Sequence, residues 1–526
     1  MSGVHEKNVP AFNITVQDGR TCGSLRDETI LSALTRSGIE LSAPCGGRGI
    51  CGKCLITLRK GKIQITDKKK KEERTGAVFS ACRGIALSDI TIELPEVNTG
   101  LTNTLNKEKS KIKKILNAGV GIDIGTTTVQ LEIFDLDTGE SLETISALNA
   151  QRGFGADVMS RINAAGKGKT RELFTAINRQ IEEMLQHCIR TWSLSGIKQC
   201  AVSGNTAMLH LFCGTDPSGM GKAPFTPVFL EDRHFSGKEL NLSVDSIIVL
   251  PGISAFVGAD IVSGLAFLDI LNHRENAVFA DIGTNGEIAV WKSKERRLLC
   301  TSTAAGPCFE GAEISCGMGA LPGAINRISI KEKPLQKSND KVFHFGPISF
   351  TTLENIPPRG ICGAGLIDAI AVMKNLGAID ETGSLSEEYT IKGFPLSDGI
   401  TISQKDIRQF QLAKSAILSG ITILCKRAGF ENMQNPGTVY IAGGLGFYIN
   451  PDNAVTAGLL PSEFAEKSAD KKHTVVCGNT SLKGAVKCLF DPSFLPYCRE
   501  IITCSDTENL ASETDFTEAF AENMYF

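Results

Sequence analysis

The 526 residues are 42% hydrophobic and 21% charged, a balance that excludes intrinsic disorder and leaves room for roughly two to four domains of ordinary size. The net charge of −3 is unevenly spread: residues 1–117 hold 20 Lys and Arg against 12 Asp and Glu (net +8), and the remainder holds 35 against 46 (net −11), so two units with separate electrostatic tasks are expected. With two Trp, five Tyr and no aromatics interleaved among the basic residues, nucleic acid is not an expected partner.

The most apolar stretch, residues 247–271, is broken by Pro251, Asp260 and several glycines. It reads as strand, turn and helix, so no membrane association is expected. No N-terminal segment has the basic, apolar, small-residue order of a secretory signal, and a cytoplasmic location is expected. Of 17 cysteines, four fall in one Gly-rich region and the others lie singly, many in apolar runs such as Ile423-Leu424-Cys425. There they behave as small hydrophobes in a reduced, anaerobic-type setting, not as disulfide partners.

In chain order, residues 10–17 and 53–66 alternate apolar and polar side chains, which predicts half-buried strands. Thr29 to Gly38 has helical spacing with glycine as a stop signal, and Ile90 to Leu94 predicts a closing strand. Residues 1–97 thus read as a small α+β domain. Inside it, Cys45-x5-Cys51-x2-Cys54 with a distant Cys82 is the pattern of four thiolates around a [2Fe–2S] cluster. Gly46, Gly47, Gly49 and Gly52 let backbone amides turn toward the sulfurs. The five-residue first gap resembles vertebrate-type and bacterial hydroxylase-type ferredoxins. A structural zinc site is the competing reading, but such sites pair C-x2-C units at both ends, whereas Cys82 stands alone in Phe79-Ser80-Ala81-Cys82-Arg83.

Residues 98–117 have the composition of a linker. From Ala118 longer apolar strands alternate with helices. Strands are predicted at 119–124, 129–135, 246–250, 277–282, 286–292 and 438–442, and helices at 156–165, 171–192, 205–213, 365–376 and 405–428. Residues 499–526, rich in Ser, Thr, Asp and Glu, are expected to form a mobile tail.

Three runs in this second part carry chemistry. In Gly121-Ile122-Asp123-Ile124-Gly125-Thr126-Thr127-Thr128 an apolar strand turns through Gly-Thr, where amides and hydroxyls approach phosphate and Asp123 holds a hydrated Mg²⁺. The construction recurs in Ala280-Asp281-Ile282-Gly283-Thr284-Asn285-Gly286-Glu287, which predicts duplicated lobes, 118–275 and 276–498, facing each other across a cleft. A third run, Tyr440-Ile441-Ala442-Gly443-Gly444-Leu445-Gly446, is a strand ending in a bare-backbone turn. No Walker A run is present. In order, the three resemble the phosphate-1, phosphate-2 and adenosine motifs of the superfamily containing actin, sugar kinases and the large heat-shock chaperones.

A [2Fe–2S] domain, a linker and an actin-like ATPase together resemble the reductive activators of corrinoid-dependent enzymes, from about residue 10 to about residue 490. Further stretches carry the likeness: residues 149–158, 204–208, 251–260, 304–312 and 360–368. The resemblance implies an α/β multidomain fold, with a β-grasp ferredoxin domain followed by a two-lobed actin-like (ribonuclease H-like) ATPase. It implies ATP-dependent one-electron reduction of Co(II) to Co(I) on a corrinoid protein, in support of a methyltransferase system and fed by an upstream low-potential electron donor. Cys45, Cys51, Cys54 and Cys82 would hold the cluster, and Asp123 and Asp281 would place Mg²⁺ or the attacking water. Gly125, Thr126, Thr127, Gly283, Thr284 and Asn285 would contact phosphates. Gly443, Gly444 and Gly446 would admit adenosine, and Glu287 or Glu310 would orient water. Some relatives carry a small extra domain linked to homodimer formation; about twenty residues between Pro95 and the first phosphate motif leave no room for it. Two other readings share these features: an activator of the 2-hydroxyacyl-CoA dehydratase type, against which the separate ferredoxin domain argues, and an ATP-binding redox adaptor without turnover. A sugar or carboxylate kinase would leave the ferredoxin part unexplained.

Overall fold

A computed structural model of the chain describes residues 10–526 apart from 38, 40, 42–46, 48, 50–53, 67–69, 73–74, 95–101, 106–114, 312, 332–339, 431–436, 445–447, 466–473 and 511–512. Its N-terminal unit is a five-stranded sheet in the order Thr21–Ser24, Phe12–Val16, Ile90–Glu93, Leu55–Lys60, Val78–Ser80. The two terminal strands of the unit pair in parallel at its centre, and the others run antiparallel, the arrangement of a β-grasp. The helix Ile30–Arg36 packs Ile30, Leu31, Ala33 and Leu34 into the core beneath. It starts at Thr29, whose side chain accepts the Ser32 amide at 3.2 Å and so satisfies one of the first-turn donors.

The remainder is built on one plan used twice. In the first lobe, Ala118–Ile124 pairs antiparallel with Thr128–Asp135, which pairs antiparallel with Ser141–Leu148; on the other side come Ile197–Gly204 and Val244–Val249, both parallel. In the second lobe the same order is Ala277–Ile282, Gly286–Lys292, Arg297–Thr303, with Thr438–Ala442 and Thr474–Gly478 parallel on the other side. A four-stranded sheet with central strands Ala324–Ile330 and Ile348–Thr352 is an insertion in the second lobe that periodicity did not predict. Among the described residues no helix is long and apolar enough to cross a membrane.

After the last parallel strand of each lobe comes a helix, Ala259–Phe267 in the first and Thr480–Phe490 in the second, and these two helices pack on each other. The crossing is close because glycines face it. A Cβ on Gly264 would sit 2.6 Å from Thr480 Oγ1, and one on Gly484 would sit 2.4 Å from the Ser263 carbonyl oxygen. A Cβ on Gly121 would likewise meet Val486 at 2.6 Å, so the helix Thr480–Phe490 lies on the first lobe's central strand. The second half of the chain therefore enters the core of the first.

Two expectations require correction. The linker of 98–117 is not wholly a linker, because Thr102–Leu105 adds an edge strand to the first lobe, antiparallel to Ser141–Leu148. Residues 499–526 are not a mobile tail. The helix Phe494–Thr503 buries Phe494, Cys498 and Ile501, and Ser505–Thr507 closes the second sheet in parallel with Arg297–Thr303. The helix Thr514–Glu522 then lies along Gln404–Arg427. Backbone carbonyls and side chains share the hold on this helix and the residues after it: Lys414 donates to the carbonyls of Asn523 (2.8 Å) and Tyr525, Gln411 to that of Met524 (2.6 Å) and Ser415 to that of Phe520, while Phe526 stacks on Phe410 and Arg427 pairs with Glu513. Composition misleads here because part of the anchoring falls to carbonyl oxygens, which every residue type carries.

Deletion of residues 514–526 is expected to lower the melting temperature, since these bonds are worth about 1 kcal/mol each, on the order of 3–5 kcal/mol together. A freely moving extension would leave the melt unchanged, and calorimetry separates the two outcomes.

Candidate functional site

The cluster loop is described in part, with Cys45 and Cys51 outside the described residues. Cys54 and Cys82 are both buried, and their sulfurs lie 3.4 Å apart. A disulfide needs about 2.05 Å, whereas two thiolates on one tetrahedral metal about 2.3 Å from each stand a little under 4 Å apart. The pair therefore fits two ligands of a shared iron. Gly47 and Gly49 adopt φ of 81° and 76°, a left-handed backbone that favours glycine. Arg83, next to Cys82, donates to the Gly49 carbonyl and ties the loop to the turn that carries the fourth cysteine.

In the second site the two Gly-Thr hairpins face each other. Each turn is closed by its glycine amide: Gly125 donates to the Thr128 carbonyl (3.0 Å), and Gly283 to that of Asn285 (2.9 Å). A Cβ at Gly125 would lie 2.7 Å from the Thr128 oxygen, so only glycine fits. The carbonyls of the first turn are all pulled backward. That of Gly125 accepts from the Asn149 side chain (2.8 Å), that of Thr126 from Arg161 (2.5 Å), and that of Thr127 from the Asn149 amide (2.7 Å). With its acceptors occupied behind, the turn presents donors in front, which is what an anion requires. Arg161 is fully buried; burial lowers its pKa to about 10, against the pull of Glu310 and Asp157.

Glu310 joins the lobes. Its carboxylate accepts the hydroxyls of Thr127 from the first hairpin and Thr284 from the second, the latter at 2.5 Å. Burial raises its pKa, and the two threonine hydroxyls and Arg161 oppose the rise.

Below the hairpins, carboxylates converge. Asp123 is pushed up by burial, and hydrogen bonds from Ser481 (2.7 Å) and Asn479 (2.7 Å) oppose this. Asp260 is raised to about 7, first by burial and then by the Asp123 charge. Asp281 is raised well above the usual carboxylate range by burial, then by Asp260 and Asp123. Glu287, 7% exposed, is raised by burial, then by Asp260 and Asp281. Burial raises all four, and like charges add to the rise at Asp260, Asp281 and Glu287, which marks a site suited to a cation or to a proton relay. Among the described residues no group of three or more His, Cys, Asp or Glu is placed to ligate a metal directly.

Other expected residues are placed as follows. The Asn285 side chain donates to Glu287 (3.1 Å), not into the space between the hairpins. Gly443, at φ 94°, abuts Asp281, where a Cβ would lie 2.5 Å from the carboxylate. A Cβ on Gly444 would meet nothing within 4 Å, so Gly444 is the glycine that faces open space. Gly446 lies outside the described residues. Asn149, Arg161, Asp260, Asn479 and Ser481 join the site without having been singled out from sequence. Asp260 alone carried a usable signal, as an acid interrupting an otherwise apolar stretch.

Residues 14–86 match the 2Fe-2S iron-sulfur cluster binding domain, 118–273 the RACo middle region, and 275–526 the C-terminal domain of RACo, the ASKHA domain. The corrinoid activation enzyme RamQ of Eubacterium limosum is 29% identical over 439 residues, 78% of this chain and 70% of that protein. The [Co(II) methylated amine-specific corrinoid protein] reductase of Methanosarcina barkeri is 28% identical over 427 residues, 76% of this chain and 75% of that protein. Among solved structures, the reductive activator for corrinoid, iron-sulfur protein superposes with a TM-score of 0.70 at 26% identity, covering 98% of each chain.

Proposed function

We propose that this chain, which belongs to the family of reductive activators of corrinoid proteins, uses ATP to make the one-electron reduction of a Co(II) corrinoid protein to Co(I) effectively one-way. The observation that carries this reading is the union, in one chain, of the Cys54–Cys82 pair with two Gly-Thr hairpins joined across a cleft by Glu310. When bound by Cys45, Cys51, Cys54 and Cys82, a [2Fe–2S] cluster supplies a one-electron carrier. The rest is work for the chain's own residues.

ATP affects the transfer only if the chain binds it differently alone and with its partner. Glu310 stands where such a difference would be felt. Its carboxylate accepts the Thr127 and Thr284 hydroxyls, groups a phosphate would also use, so the charge that bridges the two hairpins and the nucleotide would compete for the same donors. Gly125, Thr126, Thr127, Gly283 and Thr284 would then offer donors to the phosphates, and Gly444 would admit adenosine. Asp123 and Asp281 would hold hydrated Mg²⁺ and place the attacking water, because Mg²⁺ keeps several waters and is well served by carboxylates that do not close around it. Glu287 would act through Asn285. The upstream reductant is a low-potential electron carrier in this reading, and a homodimer is the assembly to look for by light scattering.

The test is direct. Anaerobic protein, a chemical reductant and a Co(II) corrinoid protein are followed by visible absorption with and without Mg-ATP. Co(I) that forms only with ATP supports the reading, and formation independent of ATP across several corrinoid partners overturns it. Glu310→Gln, whose neutral amide competes less well with phosphate for the Thr127 and Thr284 hydroxyls, should bind ATP about 10-fold more tightly by calorimetric titration, and an unchanged affinity would remove Glu310 from the phosphate site.

A further inference from the structure

The short segment Gly478–Ser481 joins more of the site than any motif recognised from sequence. The Gly478 carbonyl accepts the amide of Gly443, in the adenosine turn, at 3.2 Å. Asn479 donates its side-chain amide to Asp123 Oδ2 (2.7 Å) and to Gln130 (2.8 Å), while its own carbonyl oxygen caps the helix Thr480–Phe490 by accepting the Leu482 amide (2.8 Å). Ser481 donates to Asp123 Oδ1 at 2.7 Å. Its hydroxyl also lies 2.9 Å from that of Ser203, which lies 2.9 Å from that of Ser263 on the other crossing helix. Asn479, Ser481, Ser203 and Ser263 are all buried.

Both oxygens of Asp123 are thus held by side chains from the far end of the sequence. The geometry has two consequences. The carboxylate is tied by two hydrogen bonds to the start of the helix Thr480–Phe490, and the close contacts at Gly121, Gly264 and Gly484 seat that helix tightly against the strand and its partner helix. Conversely, any closure that shifts the crossing helices re-aims Asp123.

We propose that Asn479 and Ser481 are positioning residues that fix Asp123 and make it move as one unit with the two crossing helices. This rests on the reading of Asp123 as a group that serves the nucleotide. A buried network with two discrete arrangements is the physical means by which an event at one end of a cleft is felt across a hinge. Here the event is nucleotide entry and the hinge is the helix pair.

The test uses the full chain carrying Asn479→Ser, Ser481→Ala, Ser481→Thr or Asp123→Asn. Serine is as good a helix cap as asparagine but too short to reach Asp123, and threonine keeps the hydroxyl that alanine removes. Asn479→Ser and Ser481→Ala are expected to lower kcat for ATP hydrolysis about 10-fold or more, the scale of a small misplacement of a reacting group, with KM for ATP within about twofold. Ser481→Thr should stay within about threefold of the native rate. Amide hydrogen exchange provides a readout independent of turnover. ATP should slow exchange in 259–267 and 480–490 of the native chain and of Ser481→Thr, but not in Asn479→Ser or Ser481→Ala, although both still bind ATP. Native kcat and native ATP-dependent protection in those two variants would overturn the proposal, as would a loss that Ser481→Thr does not repair. Full hydrolysis by Asp123→Asn would instead remove the underlying reading of the site.

Discussion

Asp281→Asn should abolish ATP-dependent formation of Co(I) and at the same time make the unliganded protein more stable. Asp281 stands among Asp123, Asp260 and Glu287, and burial followed by the charges of Asp260 and Asp123 drives its pKa well above the usual carboxylate range. A carboxyl raised in the folded state penalises folding once it must ionise. The penalty is absent below about pH 4, where the unfolded chain is also protonated, and grows as pH rises toward the folded-state value. Asparagine removes one of the repelling charges at nearly constant shape. The gain in melting temperature should therefore be present at pH 7–8 and shrink toward pH 4, at roughly 2–4 °C per kcal/mol for a unit of this size. Phosphate release should fall about 10²–10³-fold, the usual worth of a group aimed at developing charge. Lower stability together with retained turnover would mean that Asp281 holds the fold and not the reaction.

Cys54→Ala should separate the two halves of the machine. Cys54 is buried 3.4 Å from the Cys82 sulfur, and if the two share an iron its removal leaves that iron one ligand short, so iron content and the visible absorption of the N-terminal unit should fall to background. Co(I) formation should stop with or without ATP. ATP affinity should remain within about twofold of native, since sites with no shared partners behave independently. Loss of nucleotide binding along with the cluster would show that the N-terminal unit is needed to build the cleft.

Features that depend on local spacing were readable from the residues alone. Three cysteines within ten residues and two Asp-x-Gly-Thr turns between apolar strands are contiguous, and the hairpins Ala118–Asp135 and Ala277–Lys292 formed close to where alternation placed them. The fold class followed, because a small cysteine-loop domain and a duplicated strand–turn–strand unit leave few architectures open. The edge strand Thr102–Leu105 was not readable, since it is held through backbone pairing that carries no residue-type signal, and the tail was masked by its polar composition, since its few apolar anchors are supplemented by backbone carbonyls.

By itself the sequence determined where a cysteine loop and two Gly-Thr hairpins stand in this chain, because each is a short run of contiguous residues. Only the tertiary structure decided what surrounds them. Asn149 and Arg161 draw the carbonyls of one turn backward, Glu310 ties two hairpins more than 150 residues apart, and Asn479 and Ser481 reach Asp123 from 356 and 358 residues away. Such partners are set by the close crossing of two glycine-faced helices and by the need to pair every buried polar group. Neither condition is met until the chain has folded, and neither leaves a pattern in the order of its residues.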